Sequence, residues 1–269
     1  MGLKVALAAV SVALAASPAG YVASHQQPDG GFAEPGGQSD PTLTAWATLG
    51  IVASGRIPSG PAAEYLAGKP AAGASDLALR ILALDALGRD TSAEVARLEA
   101  LRRPNGRIGP LVNSTIWGIL ALRGTGRPAK PSIRYLLRAQ HRNGGWAWYP
   151  RGAPDSNDTA AAIQALRAGG VGARARSIRR GLAYLRRLQR KDGGFPLVKG
   201  RASDAQSTAW VVQAFVAARR DPGRGPFRYL ASLRRPDGSY RYSKRYATTP
   251  VWVTSQVLAA LARRPFPLR

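Results

Sequence analysis

The sequence predicts an all-α protein in which six helical hairpins close into a single (α/α)6 toroid. Three observations support this fold class: a short motif that recurs roughly every 40 residues, a second helical run after each copy, and a difference in polarity between the two runs. A chain of 269 residues with 45% apolar residues can bury one large core. Nothing in its length requires a second domain.

The recurring motif ends the first helical run of each repeat with an Asp-Gly or Asn-Gly pair followed by an aromatic residue. The four best copies start at Tyr21, Tyr135, Tyr184 and Tyr229 and carry Phe32, Trp146, Phe195 and Tyr240 at the aromatic position. A fifth copy places Ile108 there, and a sixth, at Tyr65, loses the pattern, so we expect a break around residues 69–75. Glycine after a helix supplies the positive φ that ends it. We therefore predict structural roles for the aromatic residues and for Gln26, Gln140 and Gln189, whose amides can bond the backbone where the next helix starts.

The second helical run of each repeat is apolar on most faces, as in residues 210–218 and 257–262. Such a helix is buried, whereas the first runs carry the arginines and therefore face water. A side-chain oxygen just ahead of a helix can cap its free amides, and the candidates are Asp40, Asp76, Ser114, Asp158 and Asp204. Six hairpins with inner and outer helices favour a closed ring over an open solenoid, because closure removes the need for polar capping repeats.

The N-terminus has the pattern of a secretory signal, with Lys4 ahead of an apolar stretch over residues 5–16. These residues precede the first repeat and are surplus to the ring. The sequence therefore predicts a signal peptide at 1–16, a toroid domain at 17–269, and a secreted or cell-envelope location. The stretch is too short for a transmembrane span, and we expect none.

The composition is strongly basic, with a net charge of +24 and 33 arginines among the 39 basic residues. A surface of this charge attracts polyanions. The arginines are spread through every repeat, so they indicate either compositional bias or an anionic envelope component as partner, and no specific nucleic acid. Cysteine is absent, which excludes disulfides, thiolate metal sites and a cysteine nucleophile.

The glutamine, the Asp-Gly pair and the aromatic residue together resemble the QW repeat of squalene and oxidosqualene cyclases, which protein prenyltransferase β-subunits share in a looser form. The resemblance covers about residues 21–261. It implies an α/α toroid with a central cavity bounded by the N-termini of the inner helices. Transcobalamin-like carriers, which bind a ligand without chemistry, share the same barrel, so the fold alone does not name the function.

The resemblance does not extend to catalytic residues. The cyclases use the central Asp of a DxDD motif to protonate an alkene, and the nearest segment here, residues 155–158, has Asn157 in that place. The squalene-type enzymes also use two barrels. The zinc site of the prenyltransferases needs a Cys, and the two histidines, His25 and His141, do not align with each other in the repeats. We therefore expect no metal and no cofactor, and no cyclisation of squalene or shorter polyprenyl chains.

The loops that enter the inner helices are the best candidates for a functional region. The predicted ligand-binding residues are Trp46, Trp117, Trp148, Tyr149, Asp158, Asp204, Trp210, Tyr242, Tyr246 and Trp252. For the tryptophans of the inner helices, core packing is the competing interpretation.

Three functions stay open. The first is an exported, monomeric, non-catalytic domain that binds an apolar or glycan-like ligand, or an envelope partner. The second is an isoprenoid-processing enzyme with a non-standard acid, Asp158 or Asp204. The third is a structural domain whose cavity is filled by side chains. A cavity of several hundred cubic ångströms would favour a ligand, and a carboxyl with a raised pKa inside it would favour the enzyme.

Overall fold

A computed structural model describes residues 17–268, so the predicted signal segment at 1–16 lies outside the described residues. Within this range the protein has twelve helices. They are α1 (Pro18–Ala23), α2 (Pro41–Ala53), α3 (Ala62–Ala67), α4 (Ala74–Ala86), α5 (Ser92–Ala100), α6 (Val112–Gly124), α7 (Lys130–Arg138), α8 (Ser156–Ala168), α9 (Arg176–Leu188), α10 (Ala205–Ala217), α11 (Arg224–Ala231) and α12 (Pro250–Leu261). The predicted all-α class is confirmed.

The even-numbered helices are the inner ones. Each is 12 or 13 residues long and buried over most of its length. Each contacts the next inner helix along the chain, and α12 also contacts α2. The odd-numbered helices are mostly shorter and lie outside the inner ones; α9, for example, buries one face and exposes its arginines. The polarity difference in the sequence therefore separates the two layers correctly.

The repeat motif joins each outer helix to the inner helix that follows. In five repeats the backbone N–H at the aromatic position donates to a buried threonine hydroxyl in the first turns of the inner helix, as in Trp146 to Thr159 at 2.9 Å and Phe195 to Thr208 at 2.9 Å. The same bond occurs at Phe32, Ile108 and Tyr240. A buried amide must find an acceptor, and the threonine hydroxyl supplies it. This bond holds the loop across the top of its inner helix.

The motif glutamines bond the backbone, as the sequence predicts. Gln140 Nε2 donates to Gly144 O and to Ser177 O, both at 2.9 Å, which joins its repeat to the start of α9. The glycine of the pair is also required, because Gly144 has φ +96° and a Cβ there would clash with Arg180 O. Repeats are therefore joined through backbone contacts that only this short motif permits.

The residues that cap the inner helices differ in part from the sequence prediction. Asp40 and Asp204 cap their helices as expected, but Asp158, Asp76 and Ser114 each occupy the third helical residue instead. The cap of α8 is Asp155, whose Oδ1 accepts from Asp158 N at 2.8 Å. The inner helix starts earlier than the pattern suggested, because the polar residue in the first turn resembles a cap in the sequence.

The loop between α3 and α4 is irregular over residues 68–73, close to the expected break. A two-stranded antiparallel pair, β1 (Trp146–Ala147) and β2 (Pro154–Asp155), precedes α8 and was not predicted. None of the helices in residues 17–268 combines the length and the hydrophobicity that crossing a bilayer demands.

Candidate functional site

The site is a cavity of about 460 Å³ that opens where the inner helices begin. Its upper wall comes from the second residue of successive inner helices, including Thr42, Asn113, Asn157 and Gln206. The second residues of these helices therefore face one common space, although only α2, α8 and α10 have an aspartate side-chain cap. The cavity volume is within the range of small-molecule sites, which are commonly 300–1,000 Å³.

Tryptophans form the lower part of the cavity, and three of them lie four residues further along their inner helices. Trp46, Trp117 and Trp210 meet edge to face, with ring centroids 5.4–5.6 Å apart. Trp252 lies 6.1 Å from Trp46, and Trp210 Nε1 donates to Gln256 Oε1 at 2.9 Å. Such pairs are stabilising beyond the area they bury. These rings therefore pack on one another and also line the cavity.

The C-terminal segment contacts these tryptophans from the opposite side. Phe266 is buried, with its ring 6.0 Å from Trp46 and 5.9 Å from Trp210. Its backbone N–H donates to Gln164 Oε1 at 2.8 Å, two helical turns deeper along α8 than Asn157. The segment after α12 thus supports the floor of the cavity.

The mouth is built by loops whose carbonyl groups cap neighbouring inner helices. Trp148 O accepts from Asn113 N at 3.0 Å, Leu197 O from Ser156 N at 2.9 Å and Tyr242 O from Ala205 N at 2.7 Å. Free amides at a helix N-terminus need such acceptors. Trp148 and Leu197 line the cavity and remain partly exposed, so the opening has an apolar edge.

Three carboxyl groups line the cavity, those of Asp76, Asp155 and Asp158, and the last two form a pair. Asp158 is buried, its Oδ1 accepts from Asn113 Nδ2 at 2.7 Å, and its backbone N–H donates to Asp155 Oδ1 at 2.8 Å. Burial raises the pKa of Asp158 well above its usual range, and the charge of Asp155 raises it further. Burial also raises the pKa of Asp155. A pair in this setting retains a proton to a higher pH than free aspartates do.

The cavity brings together Trp46, Trp117, Trp148, Asp158, Trp210 and Trp252 from the predicted set. Asp204, Tyr149, Tyr242 and Tyr246 are not among its lining residues. Asp204 is a buried cap whose oxygens accept from Ser207 N at 2.6 Å and Ser207 Oγ at 2.8 Å, and burial raises its pKa to about 6. Tyr149 and Tyr246 are about half exposed on the outer side of the mouth.

Sequence reasoning missed Asn113, Asp155 and Phe266 as parts of this site. Asn113 occupies the same helical position as Asn157, so repeat alignment could have found it. Phe266 lies outside the repeat and has no comparable signal. Among residues 17–268 no cluster of three or more His, Asp or Glu side chains is arranged to hold a metal ion.

No protein-family model matches this sequence, and no curated protein is significantly similar to it. Solved structures are similar in fold. The chain matches the type II terpene cyclase MstE from Scytonema, in complex with geranylgeranyl dihydroxybenzoate, at 17% identity and a TM-score of 0.67, over 98% of this chain and 99% of that one.

It also matches ent-copalyl diphosphate synthase from Streptomyces platensis at 23% identity and a TM-score of 0.60, over 83% of this chain but only 50% of that one. A glycosidase in complex with glucose matches at 12% identity and a TM-score of 0.64, over 94% and 97% of the two chains. The protein therefore has a terpenoid-cyclase-like α/α fold. Because the same fold occurs in a terpene cyclase and in a glycosidase, function has to be argued from the site.

Proposed function

We propose that the protein binds an apolar, isoprenoid-like chain in the tryptophan-lined cavity. The observation that carries this proposal is the cluster of Trp46, Trp117, Trp210 and Trp252 around an open volume of about 460 Å³. Aromatic faces and edges suit an unsaturated hydrocarbon, and polar groups occur mainly at the mouth, where a head group would lie. A sugar would need several polar partners deep in the cavity, and the floor offers one, Gln256 Nε2, since the oxygen of that amide accepts from Trp210 Nε1.

Binding can be measured by titrating the protein with farnesol and geranylgeraniol and following tryptophan fluorescence. Trp252→Ala should weaken binding at least about tenfold, because it removes a half-buried ring from the cavity wall. Phe227→Ala is the matched control, since this ring lies on outer helix α11 beneath Arg263. Equal affinities for the wild type and Trp252→Ala, or no saturable change with either alcohol, would reject the proposal.

The second candidate is acid-initiated chemistry on the bound chain, which the buried Asp155–Asp158 pair favours. A neutral Asp158 can transfer its proton to an alkene carbon or an epoxide oxygen. The carboxylate that remains would be stabilised by the Asn113 amide, and the tryptophan faces would stabilise a carbocation. Asn157, an amide, has no proton to give, so this pair is the candidate acid; Asp76 also lines the cavity but is only half-buried, whereas Asp158 is buried.

Products decide between the two candidates. Wild type and Asp158→Asn are incubated with geranylgeraniol and with its terminal epoxide, and the extracts are analysed by mass spectrometry. Cyclic products that only the wild type forms would establish the enzyme. Recovery of unchanged substrate from both proteins would leave binding as the function. That result is expected if Asn157, in place of the catalytic Asp of the cyclases, marks the loss of catalysis.

We also propose that the six hairpins form one closed toroid over residues 17–269 that acts as an exported monomer. The ring of contacts from α2 to α12 supports closure, and the apolar segment at 1–16 supports export. N-terminal sequencing of secreted and cell-associated fractions tests export; a cytoplasmic protein with its N-terminus intact would contradict it.

A further inference from the structure

Exposed apolar side chains concentrate at one end of the molecule. Among residues 17–268, all three exposed aromatic rings lie on the loops that enter α8 and α12: Trp148 is 50% exposed, Tyr149 55% and Tyr246 49%. Leu197, 40% exposed, lies on the loop that enters α10. We call these four residues the mouth rim. Exposed aromatic residues grouped around an opening are typical of interaction surfaces, whereas single exposed apolar residues need no explanation.

The backbone holds the rim at the entrance of the cavity. The carbonyls of Trp148 and Leu197 cap α6 and α8, so these two side chains cannot leave the mouth without uncapping a helix. Tyr246 belongs to a tight turn in which its carbonyl accepts from Ser243 N at 3.0 Å. The rim is therefore held by backbone hydrogen bonds at the end of the molecule where the tryptophan cavity opens.

Cations surround the rim. Among the exposed basic residues of the same three loops are Arg151, Lys199, Arg201, Lys244 and Arg245. None of them takes part in an ion pair found in residues 17–268. The carboxylates of these loops hydrogen-bond to their own loops and helix starts: Asp155 and Asp204 cap helices, Asp192 accepts from Gly194 N and Ser203 Oγ, and Asp237 accepts from Ser239 N and Oγ. Basic residues outnumber these carboxylates, so the net charge around the rim is positive.

We propose that the mouth rim docks on an anionic lipid bilayer. Aromatic side chains insert at the level of the lipid head groups, and lysine and arginine beside them bind the phosphates. A soluble polyanion, unlike a bilayer, has no apolar phase. It would bind the basic residues but leave the exposed aromatic rings in water. Docking in this orientation places the opening of the cavity against the membrane, and this last consequence rests on the proposed binding of an apolar chain.

The test is sedimentation of the full-length chain with vesicles of phosphatidylcholine alone or mixed with phosphatidylglycerol. We compare two variants that each remove three charges. One is Lys199→Gln/Lys244→Gln/Arg245→Gln at the rim. The other is Arg127→Gln/Lys130→Gln/Arg220→Gln, which are exposed residues near the C-terminal ends of the inner helices.

A basic residue near an anionic bilayer contributes about fivefold to partitioning, so the rim variant should bind roughly 100-fold more weakly. The two ends are separated by a helix of 13 residues, about 20 Å, which exceeds the screening length of about 10 Å at 0.1 M salt. The control variant should therefore bind within about threefold of the wild type. The N-terminal segment is the same in all variants and does not affect their ratio.

A second pair of variants tests the rings. Tyr149→Ala/Tyr246→Ala should lower partitioning at least about fivefold, since it removes apolar area from the interface. Ile57→Ala/Leu261→Ala removes exposed apolar side chains away from the rim and should have little effect. Vesicles with brominated acyl chains should also quench part of the tryptophan fluorescence of the wild type, and this quenching should be absent in Trp148→Phe.

Two results would overturn the proposal. One is equal loss of binding in the rim and control triple variants, which would indicate non-specific attraction by net charge. The other is no preference for vesicles over a soluble anionic polysaccharide. Thermal melting of each variant verifies folding, and titration with geranylgeraniol in solution, without vesicles, distinguishes a failure of docking from a failure of ligand binding.

Discussion

Truncation of Trp210 tests whether the tryptophan cluster is the structural floor of the cavity. The side chain is 3% exposed, contacts three other aromatic rings and donates a hydrogen bond to Gln256. Trp210→Ala removes all of these contacts and leaves Gln256 Oε1 without its donor.

The magnitude follows from the buried area. A tryptophan buries 150–250 Å², which at about 25 cal/mol per Å² corresponds to roughly 4–6 kcal/mol. One face of Trp210 already borders the open cavity, which lowers this value. The orphaned carbonyl of Gln256 adds about 1 kcal/mol. We expect Trp210→Ala to lower the free energy of unfolding by about 4 kcal/mol, within the range measured for buried aromatic truncations.

Two matched variants separate the contributions. Trp252 is half-buried and meets only Trp46 among the rings, so Trp252→Ala should cost about 1–2 kcal/mol. Trp210→Phe keeps an aromatic ring but loses the hydrogen bond, with a similar cost. The assay is urea unfolding followed by far-UV circular dichroism. The dependence of the unfolding free energy on urea concentration is compared among the proteins as a check on two-state behaviour. A loss under about 1 kcal/mol for Trp210→Ala, or a loss equal to that of Trp252→Ala, would refute this account of the floor.

Three further results are expected. Thr208→Val should destabilise by about 1–3 kcal/mol in urea unfolding, because the buried amide of Phe195 loses its acceptor, whereas Thr208→Ser should not. Burial raises the pKa of Asp204 to about 6, so its stabilising contribution is present below about pH 4 and is lost as the pH rises through 6. The variant Asp204→Asn keeps the helix cap but cannot titrate. Between pH 4 and 7 the variant should therefore lose about 3 kcal/mol less free energy of unfolding than the wild type. Phe266→Ala should deepen the cavity and shift the ratio of affinities toward geranylgeraniol over farnesol at least about tenfold, as measured by fluorescence titration.

Each of these expectations has a contrary result. Equal stabilities of Thr208→Val and the wild type would mean that the loop amide finds another acceptor. If the free energy of unfolding depends on pH in the same way in the wild type and in Asp204→Asn, the raised pKa of Asp204 does not affect stability. An unchanged chain-length preference in Phe266→Ala would show that the tail does not limit the depth of the cavity.

The repeat determines much of this protein from sequence alone. The helical class, the two layers and the backbone role of Gln140 follow from a motif whose positions are all local. Trp46, Trp117 and Trp210 share one position in the second helical run, so their convergence could be read from alignment. These features depend on helix periodicity and turn chemistry, which act over a few residues.

The helix starts were predicted less accurately, and the candidate acids depended on them. A polar residue one turn inside a helix resembles a cap in sequence, so Asp158 was predicted to be the cap. In the structure Asp155 caps the helix, and Asp158 turns into the protein beside Asn113. Element boundaries are set by which amides find acceptors, and that depends on the neighbouring loop.

Only the tertiary structure decides the environment of the site. Asn113 and Asp158 are 45 residues apart in sequence, and Phe266 reaches the tryptophans from a tail without any repeat signal. The raised pKa of Asp158 arises from burial, which no local pattern records. The sequence determines the hairpin and its repetition because those rest on local hydrogen bonds. The cavity, its acid pair and its exposed rim exist only once inner helices far apart in the chain are brought side by side.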